Sequence, residues 1–422
     1  MAGLFVFMVM GIPIVYSLGS IAIIGGLMTY GPSSLFLAGS GPFSNLFKLA
    51  WTPLPLFILI GDLIAASGMG QDLFRTAANW LSRLRGGLIV AGIVGEAVLS
   101  AALGTSAATV IVVGRIAVPE FEKQGYNRGF ALGALLAGGV LGPLIPPGAT
   151  FIIYAVLTNV SLGQLFIAGI MPGILLVFFL AVPAVALSYM RPNLAPKTYS
   201  VPWRERFKSL KDVWSMIIIM LAILGSLYFG IATATETAGI GVFVVLVLGV
   251  LAFKMRWKGI KTAIKETATV NGMILFIIVT ATFYTYIIGS TNIAAGLQNI
   301  VGAAGLSPMT VMIIINVIYL ILGCILDPIT ITLLTIPIFV PLIIKLGFDP
   351  IWFGVIFCVN TQIGLITPPM GVDLFAVKTV FNIPTMEILK GVTPFLLAEV
   401  VFLAVLIAFP QISLWLPNMM NK

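Results

Sequence analysis

Two adjacent prolines interrupt an apolar segment that is long enough to cross a lipid bilayer. They occur in the sequence GPLIPPG at residues 142–148, within the apolar run 130–157. Each proline lacks an amide hydrogen and clashes with the carbonyl group one turn earlier, so the pair breaks a helix. In hydrocarbon, such a break is tolerated only where it is buried in protein or lines a water-filled cavity. The same element recurs as GLITPP at residues 364–369, and each break predicts an ion or substrate site near the membrane midplane.

The composition is that of a membrane protein. Of the 422 residues, 60% are hydrophobic and 9% are charged, and the mean hydropathy is +1.14. A typical soluble domain is about 25% charged. Apolar runs of about 20 residues, the length that spans a bilayer, follow one another along the chain. We therefore predict an all-α polytopic membrane protein that resides in a lipid bilayer.

Several classes of function lack their sequence signatures. The chain contains no histidine, which excludes a histidine-ligated metal and a histidine-based proton relay. It has no phosphate-binding loop with its lysine, no nucleophile motif and no cluster of metal-ligating residues. We therefore expect neither an enzyme nor a pump driven by ATP. The basic residues form short loops, so nucleic-acid binding is not supported.

The positions of the basic residues predict which loops face the cytoplasm. Seventeen of the 22 lysines and arginines fall into four stretches, at residues 75–85, 115–128, 191–211 and 254–265. Because cytoplasmic loops carry an excess of these residues, all four stretches are predicted to be cytoplasmic. The first two flank the apolar segment 88–118, which must then enter the membrane and return to the same side.

Two interrupted segments are thus predicted to be re-entrant hairpins. The first is broken at Gly104–Thr109. The second, Met309–Ile344, is broken at Gly323–Thr332 and is expected to enter from the outer side and return there. Each hairpin precedes one double-proline element, and residues 31–45 and 290–307 are expected to be uncharged loops. Inverted repeats with broken helices are typical of secondary transporters, which is the fold we predict.

Both hairpin tips carry groups that could bind an ion. The first tip, Gly104–Thr109, offers carbonyl and hydroxyl oxygens that suit a hard cation such as Na+. The other interpretation is that its small residues only allow close helix packing. In the second tip, Asp327 is an ionisable residue in an apolar run, which favours a functional role. An aspartate at this position is also a good helix cap. The neighbouring broken helix adds Thr361, Gln362 and Thr367.

Four other acidic residues lie within or between the apolar runs. Glu236 either caps the helix that follows it or lines an ion path. Asp62 and Glu96 lie near the ends of spans, so we expect them at the membrane interface. Glu399 is a further acid inside a span.

Together these motifs resemble the large membrane subunit of the tripartite ATP-independent periplasmic (TRAP) transporters. The resemblance rests on the tip at 104–109, the two double-proline elements, the sequence TET at 235–237 and the Gly323/Asp327 hairpin. It implies an elevator-type transporter of the bacterial inner membrane, in which a transport domain slides within a scaffold. It also implies Na+-coupled import of an organic acid. The acid would be delivered by a periplasmic binding protein, and a small four-helix membrane subunit would be a separate chain.

The same resemblance divides the chain and implies site residues. Residues 1–85, 191–266 and 391–422 are assigned to the scaffold, and residues 86–190 and 267–390 to the two repeats of the transport domain. The first sodium site would use Ser106, Gly142, Ile145 and Pro147. The second would use Asp327, Gly364, Thr367 and Pro369. A substrate carboxylate is expected between the tips, next to Gly104, Thr105, Thr109, Thr330, Thr332, Thr361 and Asp373.

The sequence leaves two other transport functions open. A stand-alone sodium/dicarboxylate or citrate-type carrier shares the two-hairpin design and works without a binding protein. A channel would conduct without coupling to a Na+ gradient. The cargo also stays open between sialic acid, C4-dicarboxylates and other keto or hydroxy acids, because the hairpin lining is mostly apolar and small.

Overall fold

The computed structural model describes residues 7, 10, 12–196, 200–290, 293–368 and 371–420. Within these ranges every regular element is helical. Seven helical segments of the described chain are long and apolar enough to cross a membrane. They are Leu49–Ser67, Arg128–Thr158, Leu162–Met190, Ala234–Leu251, Trp257–Ile287, Pro328–Lys345 and Thr385–Ala408. The predicted all-α polytopic architecture is confirmed.

The described chain folds into helices joined by short turns. Its first half forms α1 (Ile14–Tyr30), α2 (Ser34–Leu46), α3 (Pro53–Ser67), α4 (Met69–Leu81), α5 (Gly87–Leu103), α6 (Ser106–Lys123), α7 (Arg128–Gly138), α8 (Leu141–Leu144), α9 (Ala149–Thr158), α10 (Leu162–Met190) and α11 (Trp203–Leu210). Its second half forms α12 (Trp214–Met220), α13 (Ser226–Tyr228), α14 (Ala234–Leu251), α15 (Trp257–Ser290), α16 (Ile293–Ala303), α17 (Pro308–Gly323), α18 (Pro328–Lys345), α19 (Pro350–Ile366), α20 (Val372–Phe381), α21 (Thr385–Ala408) and α22 (Gln411–Met420).

Two stretches that were predicted to be loops are largely helical. Residues 31–45 form a 3-10 turn followed by α2, and the stretch 290–307 contains α16. These helices have 13 and 11 residues, which is too short to span a bilayer. Because these helices lack the run of about 20 apolar residues that indicates a membrane span, the sequence predicted loops here.

The first hairpin consists of α5 and α6, which meet at Gly104 and Thr105. Its first arm, α5, runs alongside the broken helix α7–α9. A methyl group added to Gly92 would lie 2.7 Å from the Leu135 side chain, and one added to Gly104 would lie 3.1 Å from the Pro147 carbonyl oxygen. Residues later in α5 contact residues later in the broken helix, so the two segments are parallel.

The second arm, α6, returns along the same broken helix. A methyl group on Gly142 would lie 3.1 Å from the Thr105 carbonyl oxygen, and one on Gly139 would lie 2.6 Å from the Val110 side chain. α6 is therefore antiparallel to the broken helix. The predicted re-entrant hairpin is confirmed, and its break is shorter than the predicted Gly104–Thr109.

The second hairpin consists of α17 and α18, with residues 324–327 between them. Asn360 Nδ2 in α19 donates a hydrogen bond to the Asn316 carbonyl oxygen at 2.9 Å. Further along both helices, Gly364 lies directly against Gly323. The first arm of this hairpin is therefore parallel to α19, just as α5 is parallel to the other broken helix.

The returning arm, α18, ends on the side from which the hairpin started. Thr335 Oγ1 donates a hydrogen bond to Tyr319 Oη across the hairpin at 3.1 Å. Lys345 Nζ then donates to Gln298 Oε1 of α16 at 3.1 Å. Because the stretch 290–307 contains α16, the second hairpin enters and leaves on the predicted outer side, and Lys345 lies there too.

Contacts between the two repeats confirm their opposite orientation. Arg128 Nη2 donates a hydrogen bond to the Phe381 carbonyl oxygen at 2.5 Å, which brings the end of α20 to the basic side. At the opposite side, Tyr154 Oη donates to the Pro350 carbonyl oxygen at 2.6 Å. The two broken helices therefore run in opposite directions. The boundaries of the scaffold and transport segments are not tested by these contacts and stay a prediction.

A glycine substitution tests the close packing of α7 on α21. A methyl group on Gly391 would lie 1.9 Å from the Gly129 carbonyl oxygen, so we expect Gly391→Ala to destabilise the fold by about 1–3 kcal/mol through overpacking. The matched control is Gly272→Ala in α15, where the added methyl group would meet no atom within 4 Å apart from its own helix backbone and chain neighbours. The control should be neutral or slightly stabilising. Thermal unfolding of the purified chain in detergent measures both, and equal effects would contradict the packing.

Candidate ion and substrate site

The first double-proline element breaks the helix where it was predicted to do so. α8 ends at Leu144 and α9 begins at Ala149, with Ile145 and Gly148 in extended conformations. A methyl group on Gly148 would lie 1.9 Å from the Pro143 carbonyl oxygen, so this tight turn requires glycine. The Ala149 amide donates to the Gly104 carbonyl oxygen at 3.4 Å, which ties the break to the hairpin tip.

All four residues predicted for the first sodium site lie at this break or at the hairpin tip beside it. Gly142 packs against the backbone of Thr105 and Ser106, and the Pro147 carbonyl oxygen lies against Gly104. The Ile145 side chain, which has no ligand atom, packs on Gly173 of α10. Residue 145 would contribute its carbonyl oxygen.

Ser106 meets Asp373, which comes from the other repeat. The Asp373 carboxyl group lies beside the Ser106 hydroxyl group. Both residues are buried, and neither Ser106 Oγ nor Asp373 Oδ2 has a hydrogen-bond partner among the described residues. A buried carboxylate with an oxygen atom that lacks a hydrogen-bond partner is costly unless a cation compensates its charge. The residues present therefore fit a hard cation with oxygen ligands.

The second tip is organised by Asp327 as a helix cap. Its two carboxylate oxygens accept hydrogen bonds from the Thr330 amide at 3.0 Å and the Thr330 hydroxyl group at 2.6 Å. The capping interpretation of Asp327 is thus what the structure shows, and a sodium-binding role stays a prediction. Gly364 approaches Gly323 so closely that a methyl group on it would lie 2.4 Å from the Gly323 Cα. Pro369 lies outside the described residues.

Five of the six threonines predicted near the tips already use their hydroxyl protons, and Thr105 is the exception within the described residues. Thr330 donates to Asp327, and the others donate to carbonyl oxygens of their own helices at 2.6–2.9 Å. These other residues are Thr109, Thr332, Thr361 and Thr367. Each hydroxyl oxygen can still accept or ligate, but it cannot also donate to a carboxylate. The arrangement favours a cation at these oxygens and leaves the Thr105 hydroxyl group and backbone N–H groups as donors for an acid.

Two polar side chains named from the sequence, Glu96 and Gln362, are buried near the site. Glu96 was expected at the membrane interface, but it is fully buried and lies against Gly138 of α7. Its two carboxylate oxygens, like both polar atoms of Gln362, have no hydrogen-bond partner among the described residues. The glycine pair at 138 and 139 lets Glu96 and Ser106 approach the same turn. Two adjacent glycines in a helix can indicate that another helix packs closely there, and this signal would have predicted that Glu96 is buried.

Glu236 forms a capping box at the start of α14. Its amide donates to Thr233 Oγ1 at 3.4 Å, and its carboxylate accepts from the Thr233 amide at 2.8 Å. Of the two sequence interpretations, the structure shows the helix cap. Asp62 is half-buried and accepts a hydrogen bond from Thr267 Oγ1 at 2.6 Å.

The oppositely inserted hairpins, each facing a broken helix, define an inverted-repeat secondary transporter. The family model described as "Tripartite ATP-independent periplasmic transporter, DctM component" matches residues 1–412. The chain therefore belongs to this family, as its large permease subunit. It is a multi-pass protein of the bacterial inner membrane.

Individual proteins show the same likeness. The C4-dicarboxylate TRAP transporter large permease protein of Vibrio cholerae is 32% identical, over 98% of this chain and 95% of its own. The sialic acid TRAP transporter large permease protein of the same species is 29% identical, over 97% and 95%. A crystal structure of the YdaH transporter of Alcanivorax borkumensis, which is 14% identical, shares the fold with a TM-score of 0.68. That match covers 94% of this chain and 96% of the other.

Substitutions at Asp327 separate its cap from its charge. Asparagine is an equally good cap, so Asp327→Asn should keep nearly the full stability of the chain, whereas Asp327→Ala should lose about 1 kcal/mol. Asp349→Ala removes a comparable cap at α19, where Asp349 accepts from the amides of Ile351 and Trp352, and serves as the control. Unfolding in detergent without added Na+ measures all three. An Asp327→Asn variant as unstable as Asp327→Ala would show that the charge, not the cap, holds the tip.

Proposed function

We propose that this chain is the membrane pathway of a Na+-driven importer of an organic acid. The observation that carries the proposal is the meeting of Ser106 and Asp373, two buried oxygen-bearing side chains from opposite repeats. They meet where the first hairpin tip lies against the first double-proline break. A coupling ion bound there would contact both repeats, so one binding event would affect both.

Sodium would supply the positive charge that this cluster of oxygens lacks. Ser106, Asp373 and the backbone at 142–147 would form the first site. At the second tip, Asp327 and the hydroxyl oxygen of Thr367 would take part together with the backbone at Gly364. The glycine contacts hold the oxygen atoms of each tip close to those of its broken helix. An ion bound by both sets of oxygens would therefore stabilise the tip against the break.

The cargo would be a carboxylate received between the tips. The hydroxyl protons of five nearby threonines are already used. The acid would therefore be met by the Thr105 hydroxyl group and by free N–H groups at the first turn of α6, since Asp327 already takes the Thr330 amide at the start of α18. Helix N-termini carry partial positive charge and bind anions in this way. The names of the two Vibrio cholerae relatives, one for C4-dicarboxylates and one for sialic acid, support an acidic cargo.

Movement would follow the elevator pattern. The hairpins and broken helices would move together against α3 and α15. Residues 267–290 of α15 were predicted to belong to the transport domain, but this helix packs on α1, α2 and α3, so we assign it to the scaffold. The Gly104 tip faces α3 across a small gap lined by Leu54, Phe57 and Ile58. This surface is apolar, so the tip could slide along it without breaking hydrogen bonds to these side chains. The glycine contacts between α7 and α21 are far closer, so we assign α21 to the moving part rather than to the scaffold.

Family membership supports two partners. The tripartite design would use a periplasmic binding protein that delivers the acid and a small four-helix membrane subunit. Both would act on the outer side or within the membrane. Reconstituted uptake that requires all three components would support this function. Uptake by this chain alone would favour the stand-alone carrier, and ion conductance without Na+-coupled uptake would favour a channel.

Removing single oxygen ligands should weaken the response to Na+. We expect Ser106→Ala and Thr367→Ala each to raise the Na+ concentration for half-maximal thermal stabilisation about tenfold. Asp373→Asn should do the same or abolish the response, because it removes the charge that faces the ion. Thr379→Ala is the control, since Thr379 is exposed on the same helix as Asp373. Unchanged Na+ dependence in all three site variants would contradict the side-chain assignment.

A further inference from the structure

A cavity of about 470 Å³ opens at the ends of α3, α9 and α15. These are the ends opposite to the basic stretches at residues 75–85, 115–128 and 254–265. The positive-inside rule therefore places the cavity on the outer side of the membrane. Its polar lining consists of Lys48, Trp51, Asn159, Thr282, Thr285 and Tyr286.

Lys48 gives this cavity a positive charge that nothing in its wall balances. No acidic residue lines the cavity within the described chain, and none of the described acids forms an ion pair with Lys48. Its position runs against the charge bias of the chain, since seventeen of 22 basic residues lie in the four cytoplasmic stretches. A low-dielectric cleft of one charge sign concentrates ions of the opposite sign.

The walls of the cavity join the proposed scaffold to both repeats. Lys48 and α15 form one side, and Leu157 at the end of the first broken helix and Leu333 in α18 form the other. Leu333 lies six residues after the Asp327 cap, which is about 9 Å along the helix at 1.5 Å per residue. An anion in the cavity would thus lie beside the arm that ends in the second tip.

A second cavity, of about 390 Å³, lies on the basic side and has the opposite character. Asp62, Glu266 and Arg115 line it, so its formal charge is −1 where that of the outer cavity is +1. This difference would draw an anion into the outer cavity and disfavour its retention in the inner one.

We propose that the outer cavity is an anion-binding vestibule, in which Lys48 holds a carboxylate of the incoming acid before the acid reaches the hairpin tips. The proposal rests on the proposed import function and adds a separate binding step to it. The phosphate of an anionic lipid has the same charge, and the experiment below distinguishes the two sources.

The charge of the vestibule can be measured without transport. Thr285→Cys places a near-isosteric thiol in the cavity wall, while the native Cys324 and Cys358 are buried. The purified full-length chain is labelled with an anionic sulfonatoethyl and a cationic trimethylammonioethyl methanethiosulfonate. We expect Lys48→Met to lower the ratio of anionic to cationic labelling rates about tenfold or more. Lys345→Met removes an outer charge outside the cavity and should leave the ratio unchanged.

Ligand protection then identifies the anion. Succinate or N-acetylneuraminate should slow labelling of the Thr285→Cys variant and should fail to do so when Lys48→Met is added. An unchanged labelling ratio in Lys48→Met would overturn the proposal, as would protection by neither acid. Protection by phosphatidylglycerol nanodiscs alone would assign the cavity to lipid and also overturn it. These readouts need no Na+ gradient, so a failure of Na+-coupled uptake is scored separately.

Discussion

Close contact between two main chains is the interaction on which the rest of this structure depends. At each hairpin tip a glycine of the broken helix lies against the backbone of the tip, Gly142 on Thr105 and Gly364 on Gly323. A Cβ atom at either glycine would hold the tip away. The proline pairs free main-chain groups from the helical ladder, and the glycines bring those groups within reach of the tips.

Hydrogen bonding within each helix then decides what these pockets can accept. Hydroxyl protons that are spent on local carbonyl oxygens leave an array of oxygen acceptors, which attracts cations. Ser106 and Asp373 extend this array across the two repeats. An acid must find its donors elsewhere, in the Thr105 hydroxyl group and backbone N–H groups at the first tip and, on our proposal, first at Lys48 in the outer cavity. Ion and cargo would thus be recognised by different chemistry at neighbouring places.

Much of this arrangement was predictable from particular residues. Prolines 146 and 147 located the first break, and the basic stretches predicted the direction of both hairpins. The functional role of Asp327 could not be separated from its role as a cap, because both explain an aspartate before a helix in an apolar run. The position of Glu96 was predicted wrongly, since nearness to a span end says nothing about the helix packed against it. Asp373 was named as a substrate residue without any indication that Ser106 would face it.

The sequence by itself determined that the chain crosses a membrane and where its helices break, and it predicts which ends face the cytoplasm. These properties follow from local chemistry: hydrophobic length, missing amide hydrogens and the charge of short loops. Only the tertiary structure decided which oxygens meet, because Ser106 and Asp373 are separated by most of the chain. It also decided that Lys48 stands alone in an outer cavity, since an unbalanced charge is a property of everything that surrounds it.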